Sequence, residues 1–350
     1  MEIPITLDMS EDDYKTALEF HRNTFVIDCH SDINKHILSN WRQGITNSLI
    51  KYHLPRIREG GVNAIILSTF VTKITEGNPL REMLNLIEVI RKEIQITNDF
   101  KIVKSSDELQ RAYQKDQISL IFGMEGAEPI LDDILLVDAF YHLGVRLIGL
   151  CWNWRNMVGD PCSSNAGLTA FGREVVKYMN DLGMLIDISH LSDESRKDVL
   201  KISRDPVVDS HSNCRALVSH PRNLSDELIK WIADEDGLIG LNFFSEFVAQ
   251  ERATLSKLLD HVDYLNDLIG IDHLCLGPDW IDYAPELFSE EEKRLELYDQ
   301  EKLGKYVQDL DSVSKLPNLT AGLISRGYSK GEIRGILGEN MLNLIKNVIG

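Results

Sequence analysis

The residues of this chain that could do chemistry stand at the ends of apolar runs. Phe25-Val26-Ile27-Asp28-Cys29-His30-Ser31-Asp32 reads as a short buried strand leading straight into an imidazole and a carboxylate. Side chains at i and i+2 of a strand share a face, so His30 and Asp32 can reach one cation together. Three later runs end in metal-capable side chains as well: Ile121-Phe122-Gly123-Met124-Glu125, Leu185-Ile186-Asp187-Ile188-Ser189-His190 and Val207-Val208-Asp209-Ser210-His211. Each alone has a plain structural explanation. A strand-end histidine is more often hydrogen-bonded than ligating, and a carboxylate after a buried strand is often a salt bridge or a helix cap. Together they supply the mixture of imidazole and carboxylate that suits zinc. Five ligands exceed one tetrahedral ion. Two ions about 3.5–4 Å apart, sharing one carboxylate and one hydroxide, fit better, with Glu125 as the natural bridge.

Two further residues fit a hydrolase built on such a centre. Asp279, in Leu276-Gly277-Pro278-Asp279-Trp280, suits a general acid/base that takes the proton of the water and passes it to a leaving amine. Its ordinary alternative is a turn aspartate after Gly-Pro. Arg222, in Ser219-His220-Pro221-Arg222-Asn223, could grip a substrate carboxylate bidentately, or make a surface salt bridge.

These residues need a frame that brings distant strand ends together. Eight apolar runs, near 25–30, 62–70, 118–125, 145–151, 184–190, 206–211, 237–243 and 273–279, are continuous rather than alternating, as in a parallel sheet buried on both faces. Between them lie segments of helical periodicity, among them 80–98, 170–182 stopped by Gly183, and 254–269 stopped by Gly270. This alternation predicts a (β/α)8 barrel, with a doubly wound sheet as second choice. The barrel is preferred because catalytic groups gather at the carboxyl ends of barrel strands, where His30, Glu125, His190, His211 and Asp279 all fall. One domain over 1–350 is expected, with a charged helical insertion or lid near 281–312.

Composition narrows the classes. The chain has 350 residues, 43% of them hydrophobic, and a net charge of -18, so it can bury a large core and is a poor nucleic-acid or anionic-membrane binder. Five widely spaced cysteines without a C-x-x-C make a disulfide framework or zinc ribbon unexpected. With no visible signal peptide and no run of about 20 apolar residues, a cytoplasmic location is expected.

With these residues in place the chain resembles the membrane (renal) dipeptidase family of zinc hydrolases, and its soluble bacterial branch in particular. The likeness rests on Asp28-x-His30-x-Asp32, on His53 and Pro55-Arg56 leading into Glu59-Gly60-Gly61-Val62, and on Glu125-Gly126-Ala127-Glu128 and Gly144-Val145-Arg146. It continues through Gly167-Leu168-Thr169-x-Phe171-Gly172, Asp187-Ile188-Ser189-His190, Ser210-His211-Ser212, Arg222-Asn223, Gly277-x-Asp279 and Gly338-Glu339-Asn340-Met341-Leu342. The resemblance implies a barrel with two zinc ions, His30 and Asp32 on one, His190 and His211 on the other, and Glu125 between them. It implies that Arg222 binds substrate and that Asp279 is the catalytic aspartate. The expected substrates are free dipeptides, including those ending in a D-residue. Family members often dimerise, but no interface is legible here. One position departs: the renal enzymes place a substrate-contacting histidine where this chain has Trp152, in Cys151-Trp152-Asn153. An indole N–H donates one hydrogen bond and cannot become a cation. Oxyanion stabilisation then falls on zinc, with Asn153 or Arg155 as candidate helpers. The rival readings are a deacylase or lactonase on the same metal site, which would leave Arg222 unused, and a catalytically inactive binding protein.

Overall fold

The computed structural model describes residues 3–4, 7–71, 77–280 and 306–350. Nine parallel strands form one sheet: β1 (Ile27–Ser31), β2 (Ala64–Phe70), β3 (Phe100–Ile102), β4 (Ile118–Glu125), β5 (Val145–Gly149), β6 (Leu185–Asp187), β7 (Val208–Ser212), β8 (Leu238–Leu241) and β9 (Leu274–Leu276). The order is β1-β2-β4-β5-β6-β7-β8-β9, with β3 attached outside the path to β4. β9 comes back alongside β1. A doubly wound sheet would reverse its strand order at a switch point, whereas this sheet runs in sequence order and curls into a barrel. All eight expected strands are present, and β3 is the addition.

Helices between the strands cover the outside. The helix at 170–182 starts where the Thr169 side chain accepts from Gly172 N and stops at Gly183, whose φ of 67° is the left-handed turn that ends helices. The helix at 193–202 is capped by Ser192, which accepts from Ser195 N, so the chain turns sharply just after His190. Inside, Ile27, Ala64, Ile66, Ile121, Leu147, Leu185, Val208 and Leu238 form one apolar cluster with Met341, Leu344 and Ile345 of the helix at 340–348. That helix closes the amino-terminal foot of the barrel.

The same segment seals the seam between the first and last strands. Asn340 Nδ2 donates to the Ile271 and Leu274 carbonyls at 3.0 and 2.8 Å, at the entry to β9. Gly338 lies so close to β1 that a Cβ there would meet the Phe25 carbonyl oxygen at 2.6 Å. The terminal Gly338-x-Asn340 pattern is thus a seam closure. The helical insertion expected over 281–312 lies outside the described residues as far as 305. Its remainder carries two isolated bridges, Phe244 with Tyr306 and Thr254 with Gln308. Among the described residues no helix is long and apolar enough to cross a membrane. All five cysteines are free.

Candidate metal centre

The carboxyl ends of the strands bring the expected ligands to one point. β1 carries His30, and its backbone N–H donates to Asp28 Oδ1 at 3.0 Å, which pins the strand end. Asp32 follows at the N-cap of the helix at 33–42 but makes no side-chain capping bond. Its carboxylate is turned instead toward His30, with Oδ2 3.9 Å from Nε2. β4 ends on Glu125, and β7 carries His211. His190 comes three residues after β6 in a left-handed conformation (φ 65°), and Asp279 three residues after β9 in another (φ 60°). Such strain costs about 1–3 kcal/mol per residue and persists where surroundings over-determine it, often at active sites.

Glu125 is the hub. Its Oε1 lies 2.7 Å from His190 Nε2, 3.4 Å from His211 Nε2 and 3.6 Å from His30 Nε2. The Nε2 atoms of His190 and His211 are 2.9 Å apart. Among the described residues three groups of candidate ligand atoms converge: His30/Asp32/Glu125 and Glu125/His190/His211, which overlap at Glu125, and His30/Asp187/His211. His30 Nε2 and Asp32 Oδ1 are buried with no hydrogen-bond partner. Buried polar atoms of this kind are costly unless something pairs with them. A nitrogen and oxygen donor set aimed at one buried point fits first-row divalent ions.

The electrostatics agree. Burial opposes charge on His30, yet the Glu125, Asp279 and Asp32 carboxylates push it up to about 10. Burial, helped by Arg222, holds His190 down at about 4, and burial with the charge on His30 holds His211 well below its ordinary value. Burial and the neighbouring Glu125 raise Asp32 well above the usual carboxylate range. Against its own burial, Glu125 is held well below that range by His30 and His190. The charge on Glu125 thus stands at the spot where the candidate ligand atoms converge, and His30 answers it.

Asp279 stands at the rim, its Oδ1 3.9 Å from His30 Nε2. Burial pushes its carboxyl up to about 6, resisted by His30. Asn242 Nδ2 donates to its Oδ2 at 3.2 Å and orients it. Arg222 is buried, donates from Nη2 to the His211 carbonyl at 3.1 Å, and keeps Nη1 buried without a hydrogen-bond partner. It is therefore not the surface salt bridge of its plain alternative. Trp152 is also buried, stacked on Phe70 at 4.1 Å with its ring centroid 6.3 Å from that of His190. Asn153, expected at the substrate, turns its Oδ1 to His190 Nδ1 at 3.0 Å. Arg155 points away, pairing with Asp160 at 3.2 Å.

Several functional neighbours escaped the sequence reading: Asp187, Ser210 and Asn242. A signal for the first existed. An aspartate precedes each of the three converging histidines by two or three positions, as Asp28, Asp187 and Asp209.

Comparison with known proteins places this site in context. The family model described as Membrane dipeptidase (Peptidase family M19) matches residues 14–300 and 298–349. The chain is 28% identical over 361 residues to the dipeptidase verJ of Clonostachys rogersoniana, covering 97% of this chain and 88% of the relative. It is similar to the crystal structure of an amidohydrolase from Pseudomonas aeruginosa, with 28% identity, a TM-score of 0.80, and coverage of 95% of this chain and 99% of that one. It shares its fold with a metallo peptidase from Rhodobacter sphaeroides solved with a phosphinate mimic of the dipeptide L-Ala-D-Ala, at 24% identity and a TM-score of 0.78, covering 93% and 99%.

Proposed function

The chain belongs to the membrane dipeptidase family of metal-dependent peptidases, and from that premise we propose that it cleaves free dipeptides with two zinc ions, including dipeptides ending in a D-residue. The observation that carries the reading is the single carboxylate oxygen of Glu125 facing three imidazole Nε2 atoms. His30 and Asp32 would hold one ion and His190 and His211 the other, with Glu125 shared. When bound, the ions would supply a nucleophilic water at neutral pH and polarise the scissile carbonyl.

The chain's own residues would do the rest. Asp279, poised near 6, can take the proton of the attacking water and return it to the leaving nitrogen. Arg222 has an unmatched buried N–H group with which to hold the free carboxylate of the substrate. Trp152 and Phe70 would form an apolar wall beside His190. Asn153 would fix the ring of His190, with its Oδ1 on Nδ1, and would not meet the substrate. A site that grips the carboxylate and the scissile carbonyl leaves the direction of the C-terminal side chain unconstrained, which is why a D-residue is tolerated. The ligand of the Rhodobacter sphaeroides protein, a mimic of L-Ala-D-Ala, is of that class.

The test is amino-acid release from L,L- and L,D-dipeptides by purified protein, with zinc and with chelator, beside a metal count. Chelator-sensitive release from both sets at two zinc ions per chain, with N-acetylated and amidated controls untouched, is expected. Equal hydrolysis of the blocked controls would move the activity to a deacylase or esterase class.

A further inference from the structure

Below the ligands lies a hydrogen-bond relay that no step above uses. Asp187 ends β6 and is buried. Its Oδ1 accepts from two backbone N–H groups, Ser189 and Ser210, both at 3.0 Å. Its Oδ2 accepts from Ser210 Oγ at 2.6 Å. Ser210 Oγ in turn lies 2.7 Å from His211 Nδ1 and 3.4 Å from His30 Nδ1. The neighbouring hydroxyl, Ser189 Oγ, lies 3.3 Å from Ser210 Oγ and donates to Asp209 Oδ1 at 2.8 Å.

With Asp187 ionised, one arrangement matches a proton to each contact of Ser210 Oγ with Asp187, His211 and His30. A carboxylate only accepts, so the one hydroxyl proton of Ser210 goes to Asp187. Ser210 Oγ then has only lone pairs to offer the imidazoles. His211 Nδ1 must carry its proton and donate, and His30 Nδ1 does the same over the longer distance. Both rings are left with Nε2 toward Glu125. The relay is also held in place: a Cβ at Gly240 or Gly277 would meet the Ser210 carbonyl oxygen at 1.9 or 1.7 Å, so two glycines admit β8 and the end of β9 against it.

We propose that Ser210, anchored by Asp187, is a positioning residue that sets the tautomer of one histidine from each half of the metal centre and so presents both Nε2 lone pairs to the ions. The proposal rests on the metal-centre reading above. Outer partners of this kind usually change metal affinity about 10- to 100-fold.

Asp187→Asn makes the decisive variant. It is nearly isosteric, and the two backbone N–H groups keep its carbonyl oxygen at the Oδ1 position. Its NH2 group must then face Ser210 Oγ and donate. The Ser210 hydroxyl turns its proton to His211 Nδ1, which forces the proton of that ring onto Nε2, where a metal would bind. Nitrogen-15 NMR of histidine-labelled, metal-free protein at about pH 8 reads the His211 tautomer, and a competing chelator dye reads zinc affinity.

The expected result is Nδ1–H in the wild type, Nε2–H in Asp187→Asn, and a mixture in Ser210→Ala. Zinc affinity should fall about 10- to 100-fold in Ser210→Ala and further in Asp187→Asn. Nε2–H in the wild type, or a folded Asp187→Asn protein whose zinc affinity stays within about twofold, overturns the proposal. The tautomer is read without metal, so a wild type showing Nδ1–H but no zinc affinity would sink the metal centre and leave the proton assignment standing.

Discussion

The two ends of the barrel are equally buried and are built on opposite terms. At the foot, Ile27, Ile66, Leu185 and Leu238 pack against Met341, Leu344 and Ile345 in one apolar cluster. There burial stabilises, by about 25 cal/mol for each Å² removed from water. At the mouth, His30, Asp32, Glu125, His190 and His211 are just as inaccessible, and two of their ligand atoms have no hydrogen-bond partner. There burial costs free energy unless a cation is present. Two left-handed non-glycine residues, His190 and Asp279, add strain at the same end. The fold therefore separates along its axis what holds it together from what it is for.

That separation can be tested by substitutions at each end, beginning with the largest expected effect. Asp279→Asn should lower turnover by about 10²- to 10⁴-fold, the usual worth of a general acid/base, while zinc content is retained and Tm is unchanged or raised. Activity, metal count and thermal melting on one preparation check this, and normal turnover would remove Asp279 from its role. Leu344→Ala, at the foot, should do the converse. A buried Leu→Ala change costs about 2–5 kcal/mol, seen as a lower denaturation midpoint with kcat/KM unchanged at temperatures where the variant is folded. A large loss of kcat/KM in folded protein would show that the two ends are coupled. Arg222→Ala should mainly raise KM. A hydrogen bond to a charged group is worth about 1.5–3 kcal/mol, or roughly 10- to 150-fold. An unchanged KM for free dipeptides would free the carboxylate from Arg222.

The smallest effect is a slope in pH, and it belongs to neither end. His21, on the outer helix at 11–22, is buried between Thr320 Oγ1 at 2.7 Å and the Gly60 carbonyl at 2.9 Å. Burial holds it at about 4, below its ordinary 6.5. The unfolded chain therefore binds more protons between these values, and stability falls as pH drops from 6.5 toward 4. Denaturation of chelated protein at several pH values should show this fall, and His21→Asn should make it shallower, with His190, His211 and His53 supplying the remainder. An equal slope in the variant would place the sensitivity elsewhere.

Much of this was legible because chemistry and pattern coincide in sequence. Each candidate ligand except Asp32 follows within a few positions of a continuous apolar stretch, and such stretches mark strands buried on both faces. The helix at 170–182, with a capping threonine before it and a glycine after, could be placed to the residue. β3 was missed because Phe100-Lys101-Ile102 is too short and mixed to register against a helical background. β6 was read as 184–190 but ends at Asp187, since the chain leaves the sheet to turn through His190. Asp187 and Ser210 were missed for a deeper reason. Aspartate and serine after a strand are ordinary turn residues, and only the structure shows that the Ser210 hydroxyl oxygen faces His211 while its proton is taken by Asp187. Trp152 identified a departure from the renal pattern, but the stack on Phe70 depends on a strand eighty residues away.

The closure of the seam also bears on the order of assembly. The first strand and the last are fastened together by residues near 340, where Asn340 clasps the entry to β9 and Gly338 lies on Phe25. Contacts this far apart in sequence form late and slow the search for the native state. On the ribosome, the early strands can pair as they emerge, but the ring stays open until the segment around 335–348 has left the exit tunnel. For most of its synthesis the nascent chain is a curved open sheet with two bare edges, the form in which strands from other molecules most readily join.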